Sequence, residues 1–328
     1  MPSYKPINFI LGKLGCLISD SNYLIRKQLN SVLENALNSE GAAITAEIMP
    51  PRGGDASKAI DIASNLAGRI HAFNVTDGSR AIMRMSSLAV CKLLLEAELE
   101  PVLQIACRDK NRIALQAELL GANALGIKNV LCLTGDPVRV GDQLNARPVH
   151  DFESIQLLKQ VSAFNKGKDP VKGELPDGQT RLFAGAAADP NCKSLNSLMK
   201  RLERKKNAGA HFLQTQMVMD PRVLERFCKE VATPLELPVL AGVFLLKSAK
   251  NAAFINKVVP GASIPETIIQ RLNDSSNPLE EGIAIAAEQV KSFTGIAKGV
   301  HIMAVKAERL IPNILDQANL KITTKQIQ

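Results

Sequence analysis

Three short segments set a polar, chemically able side chain at the end of an apolar, β-rich run. The first is Ala46-Glu47-Ile48-Met49-Pro50-Pro51, an acid flanked by apolar residues and followed by two prolines that stiffen its exit. A carboxyl in such surroundings has a raised pKa and suits proton donation near neutral pH. Position alone allows equally that Glu47 pairs with a neighbouring Arg or Lys as a structural ion pair. The second is Leu133-Thr134-Gly135-Asp136-Pro137, where Gly135 permits close backbone approach and Asp136 either faces a ligand or caps a turn. The third is Gln214-Thr215-Gln216, whose amides need partners, either a ligand or neighbouring backbone.

Other chemistries find no support. The four histidines, His71, His150, His211 and His301, are scattered, and the cysteines at 16, 91, 107, 132, 192 and 228 form no CxxC pair, so no metal site is expected. The cysteines read as reduced thiols of a cytoplasmic protein. No Gly-rich dinucleotide loop, P-loop or nucleophile elbow occurs. The charge is +8, from 40 basic and 32 acidic residues, but Trp is absent and Tyr occurs only twice. That composition lacks the aromatic-interleaved platform of a nucleic-acid binder, and the positive charge better serves an anionic small molecule. One basic cluster, Lys200, Arg201, Arg204, Lys205 and Lys206, lies on a helical stretch; it either meets a phosphate or is simply solvated. The apolar segment 7–18 is interrupted by Lys13 and is too short to span a membrane, and no signal-peptide pattern follows it.

The elements that must position these residues alternate along the chain. Strands are expected at Ile44–Ile48, His71–Thr76, Val102–Cys107, Val130–Thr134, Phe183–Ala187, Phe212–Met217, Val239–Val243 and Val300–Ala304. Most are continuous apolar runs, as in a parallel sheet covered on both faces. Helices fit between and after them at Ser57–Ala67, Ser86–Glu96, Arg112–Leu125, Phe152–Ala163, Leu195–Ala208, Pro221–Val231, Ala249–Lys257, Pro265–Leu272, Glu280–Phe293 and Glu308–Ala318, with Gly126, Gly209 and Gly295 at helix C-caps. Eight such units favour a (β/α)8 TIM barrel over residues 41–320, with active residues at the strand C-termini, over an open doubly wound sheet. Residues 1–40 form an N-terminal helical leader with a helix near Tyr23–Leu37, Asn165–Thr180 is the longest loop, and residues 321–328 are a frayed C-terminus. Hydrophobic residues make up 46% and charged residues 22%, enough apolar surface for one large core.

The segments AEIMPPRG, VTDG, RDKNRIALQAELLGANALGIKNVLCLTGDP, RLERKKNAGAHFLQTQ and GVHIMAV resemble, in this order, the methylenetetrahydrofolate reductase family over roughly residues 43–320. The resemblance is to its short bacterial form and to the reductase module of homocysteine methyltransferase fusions. The fusion's zinc module is expected to be absent, because the chain begins close to the barrel.

The resemblance implies a ping-pong cycle in which hydride passes from NAD(P)H to FAD, with FMN as the alternative, and then to 5,10-methylenetetrahydrofolate, giving 5-methyltetrahydrofolate for methionine synthesis. Carried onto matching positions, Glu47 is the general acid, Asp136 binds the pterin and stabilises its cation, and Gln216 and Asn251 bind folate. The implied flavin contacts are Thr76, Asp77, Gln104, Thr134, Gly135, Asp136, His150, Ala188, Arg204, Lys205 and Ala210. The family carries Tyr at the positions of Asp77 and Ala188, His at Gln104, Arg at Thr134 and a nicotinamide-stacking Phe at Ile255. The last departure motivates an alternative, a folate- and flavin-binding subunit that draws electrons from a partner protein. A homo-oligomer is compatible with either reading, and a non-catalytic barrel is a third.

Overall fold

The computed structural model describes residues 30–259 and 261–322. Most of the expected leader helix and the final residues 323–328 lie outside these. Eight parallel strands follow in chain order: β1 (Ala43–Ile48), β2 (Ala72–Val75), β3 (Pro101–Ala106), β4 (Asn129–Leu133), β5 (Phe183–Ala188), β6 (Phe212–Met217), β7 (Val239–Phe244) and β8 (Gly299–Met303). Each pairs with its neighbours in sequence, and β8 returns to β1 in the register Ala43↔Gly299 to Ala46↔Ile302, closing the barrel. The helices are α1 (Val32–Asn38), α2 (Ser57–Ser64), α3 (Ser87–Glu96), α4 (Arg112–Ala124), α5 (Ser154–Asn165), α6 (Leu195–Asn207), α7 (Pro221–Phe227), α8 (Ala249–Val258), α9 (Glu266–Asp274), α10 (Pro278–Phe293) and α11 (Ile311–Gln317). The expected fold class and every expected strand are present.

Alternation along each strand sorts side chains between two cores. On β1, Ile44, Ala46 and Ile48 point outward into the main core shared with the helices. Ala43 points inward, joining Ala72, Val102, Leu131, Phe212 and Leu240 in a separate apolar layer at the strand N-termini. Helix α1 plugs that end with Leu33, Ala36 and Leu37. Its N-cap is Ser31, whose hydroxyl accepts from Glu34 N at 2.9 Å, and its Val32 and Leu33 N–H groups donate to the Glu100 carboxylate at 2.9 Å each. The plug seals the floor, leaving the C-terminal end as the open mouth.

Two of the scattered histidines serve the backbone. His71 and His211, each just before a strand, accept the Ile44 and Ala184 N–H groups at 2.9 and 3.0 Å. Desolvation lowers the pKa of both rings, to about 4 for the buried His71. Phe212 fills the barrel axis because Gly185 leaves room: a Cβ on Gly185 would fall 2.2 Å from the ring.

Three expectations are corrected. Asn165–Thr180 is not the longest connection; segment 134–153 is longer, while a small hairpin, Lys168–Asp169 with Gly173–Glu174, orders part of the former. The last helix divides into a 3-10 turn at Glu308–Leu310 and α11. Gly126 and Gly209 adopt the left-handed conformation at φ +87° and +107°, whereas Gly295 does not.

Gly185→Ala should destabilise the barrel by about 1–3 kcal/mol through overpacking. The added Phe212→Leu change should recover part of that loss in urea unfolding, a coupling absent if the ring were free to move.

Candidate active site

Glu47 lies one residue before the end of β1, in register with Asn74 of β2, and points inward at the mouth. Among the described residues nothing donates a hydrogen bond or forms an ion pair with its carboxyl, so the ion-pair alternative is not realised. Its pKa is pushed up to about 7, first by burial and then by the Glu308 carboxylate, with Arg84 pulling the other way. Glu308 follows β8, the neighbour of β1, and is held by a 3.0 Å bond from Lys306 N. Arg84 is anchored by Nη1 to the Pro50 carbonyl at 2.9 Å, while its buried Nε has no partner. The sequence reading missed both modulators, because Glu308 reaches Glu47 only through barrel closure and Arg84 only through the packing of the loop after β2 on Pro50.

Asp136 is exposed just beyond β4. Its Oδ2 accepts the Arg80 N–H at 2.6 Å and its carbonyl accepts from Arg108 Nη1 at 3.3 Å, so one carboxylate oxygen pins the loop after β2 and the other is unbound. The first part of segment 134–153, through Asp142, leans on that loop. Asp142 pairs with Arg52 at 2.6 Å and accepts Met83 N–H at 3.1 Å. Gly141 packs so closely that a Cβ there would fall 1.9 Å from the Ala81 carbonyl. The loops after β1, β2 and β4 thus form one latched wall of the mouth.

The expected flavin contacts divide. Thr76 is buried at the end of β2 with its hydroxyl unpartnered. Gln104 lies on the inner face of β3, and Gly135 (φ +93°) sits beside Arg108. Asp77 is occupied: its Oδ2 accepts from Ala106 N and Lys110 Nζ, both at 2.9 Å, and Lys110 also pairs with Glu118 at 2.7 Å. Thr134 accepts Ser154 N at 3.3 Å, helping start α5. His150 lies in the exposed loop before α5 at φ +44°, not on the helix, and Ala188 closes β5 rather than following it.

Lys205 is buried, and its Nζ donates to the Ala187 carbonyl at 2.7 Å. Burial, then Arg201, lowers its pKa to about 8. Arg204 is exposed on the last turn of α6, and Ala210 precedes β6 at that strand's N-terminal side. Neither is drawn to the mouth.

On β6 the two glutamines part company. Gln214 is buried and bonded to Asn74 at 2.7 Å. Gln216 is exposed at the strand end beside a bulge, where Thr215 Oγ1 donates to the Gln216 carbonyl and accepts Gly242 N–H, and its amide makes no bond among the described residues. Asn251 caps a turn through Lys247 N at 3.2 Å. Ile255 is buried in a satellite cluster with Met217 and Met219, while its neighbour Phe254 is exposed. Among the described residues no group of His, Cys, Asp or Glu could hold a metal ion, and no helix is long and apolar enough to cross a membrane.

A closed parallel barrel with an unpaired acid near the mouth end of β1 and polar strand ends around it defines a (β/α)8 protein with its candidate site at the strand C-termini. The chain belongs to the methylenetetrahydrofolate reductase family, whose model matches residues 32–319. It is 25% identical over 242 residues to "Methylenetetrahydrofolate reductase 2" of Saccharomyces cerevisiae, covering 70% of this chain and 38% of that protein. It is 23% identical over 264 residues to "Methylenetetrahydrofolate reductase 2" of Schizosaccharomyces pombe, covering 75% and 40%. The chain therefore spans about 40% of the length of these curated relatives. Among solved structures it is similar to an uncharacterized protein from Clostridium thermocellum that binds two copies of 5-methyl-5,6,7,8-tetrahydrofolic acid, with a TM-score of 0.59, 17% identity, and coverage of 87% of this chain and 96% of that one. At that identity the likeness concerns the fold.

Because Glu47 holds its proton to about pH 7 when folded but only to about 4.5 when unfolded, the native state binds the extra proton between these values. Wild-type stability should therefore fall relative to Glu47→Gln as pH rises from 4.5 to 7 and run parallel to it outside that window, as read from Tm against pH. Asp142→Ala should cost less than about 1 kcal/mol globally, as surface pairs do. It should nevertheless speed amide exchange at Met83, showing the latch release locally.

Proposed function

We propose that this protein reduces 5,10-methylenetetrahydrofolate to 5-methyltetrahydrofolate in one-carbon metabolism, using a bound flavin and NAD(P)H. The observation that carries this reading is Glu47, an unpaired carboxyl at the mouth with its pKa near 7. Membership of the family and the reductase names of its relatives supply the substrate class.

The residues present fit a flavin. The Thr76 hydroxyl, just beyond β2, is buried without a partner, and the outer end of the Gln104 amide, inside the barrel on neighbouring β3, is unbonded. A flavin bound there supplies hydride. Glu47 protonates the leaving nitrogen of the imidazolidine ring. The C–N bond breaks with its electron pair on that nitrogen, and the carbon becomes an iminium cation able to accept hydride. Asp136, with one oxygen bound to Arg80 and one unbound, places negative charge where that cation forms. The unbonded Gln216 amide and Asn251 flank the folate. As pH rises through about 7, Glu47 loses its proton and the acid step slows.

A second reading, electrons drawn from a partner protein, is favoured by the engagement of Asp77 with Lys110 and by the aliphatic Ile255, at positions where the resemblance implies Tyr and Phe. Dye-linked oxidation of 5-methyltetrahydrofolate without NAD(P)H turnover would select it.

The test is steady-state turnover of flavin-reconstituted protein. Glu47→Gln should lower folate turnover by about 10²–10⁴-fold while flavin reduction by the electron donor persists. Absence of both folate half-reactions in the wild type would refute the proposal.

A further inference from the structure

Beneath the mouth, three amides from three strands join inside the barrel. Gln104 on β3 donates from Nε2 to Asn74 Oδ1 at 3.2 Å, and Asn74 on β2 donates from Nδ2 to Gln214 Oε1 on β6 at 2.7 Å. Asn74 is completely buried, whereas Gln104 and Gln214 keep 6% and 8% exposure. The outer atoms, Gln104 Oε1 and Gln214 Nε2, bond nothing among the described residues and are not sealed from solvent. The apolar layer and α1 close the barrel below, so these ends open toward the mouth. Asn74 is also the register partner of Glu47.

We propose that Gln104, Asn74 and Gln214 act as one polar relay that reads a polar edge, bearing both donor and acceptor groups, of a fused heteroaromatic ring bound at the mouth, with Asn74 as the positioning residue. This rests on the functional reading above, whose flavin and pterin rings both carry such an edge. The physical reason is the chemistry of a primary amide, one acceptor and one donor group. With Asn74 in the middle, an acceptor facing one glutamine forces a donor toward the other. The outer ends are therefore always complementary, one acceptor and one donor. Turning all three amides over together keeps both internal bonds and only exchanges which end is which.

Asn74→Asp tests this without touching the ligand directly. A carboxylate accepts at both ends, so both glutamines must turn their N–H groups inward and present carbonyls outward. Affinity for FAD and for 5-methyltetrahydrofolate, measured by fluorescence and calorimetric titration, should fall on the order of tenfold. It should recover as pH falls and the introduced carboxyl takes up a proton, which restores one donor and one acceptor. A purely structural role for Asn74 would give no such recovery. Gln214→Glu keeps the Asn74 bond but puts oxygen at the outer end; it should weaken binding similarly at neutral pH and carries the test if Asn74→Asp fails to fold. Wild-type affinity in both folded variants, at every pH, would overturn the relay alone. A wild type that binds neither ligand would overturn the functional reading, and the relay with it.

Discussion

Parallel closure of β8 onto β1 fixes which side chains share the barrel interior, and every polar group of the site depends on that sorting. In a parallel strand pair, registered residues face the same way. The register Glu47↔Asn74 therefore sets the acid beside the amide, while Ala43↔Gly299 keeps the floor small and apolar. Three layers follow along the axis: an apolar floor plugged by α1, a polar middle with Asn74, Gln104 and Gln214, and a mouth carrying Glu47. Polar groups can be buried in the middle because they satisfy one another, at about 1 kcal/mol net per bond, whereas orphaned amides there would each cost more.

Charge is distributed to match. Most acids around the mouth are committed: Asp77 to Lys110, Asp142 to Arg52, Asp136 to the Arg80 amide. These contacts hold loops. Glu47 is the exception, and its isolation lets it hold a proton to about pH 7 instead of serving as a counter-ion. Burial alone raises its pKa, Glu308 adds to the effect, and Arg84, held by the Pro50 carbonyl, moderates it without capturing the carboxylate.

The latched wall built by the loops after β1, β2 and β4 bears on access. Its contacts include one surface ion pair, backbone bonds to carboxylates, bonds from Arg84 and Met85 to the Pro50 and Pro51 carbonyls and a close approach at Gly141, each modest in strength. Such a wall can open locally without disturbing the barrel, whose core continues through the helices.

The strands were legible because each is a short apolar run with flanking turns, and Glu47, Asp136 and Gln216 were legible as polar residues at the ends of those runs. Asn74 carried the same signal, an amide within the apolar run Ala72–Val75, but a strand so short gives little periodicity to mark it as inward. Gln214 and Gln216 are indistinguishable by type and spacing, and only the bulge on β6 and the position of Asn74 separate a buried relay member from an exposed one. The family resemblance implies a flavin contact at Asp77, and in the fold Lys110, thirty-three residues away, binds its carboxylate. By itself the sequence determined the alternation of strand and helix and the chemical character of each strand end, since these depend on neighbouring residues. Tertiary structure alone decided which acid stays unpaired and which amides meet, because those outcomes depend on closure and register, which bring together residues far apart in the chain.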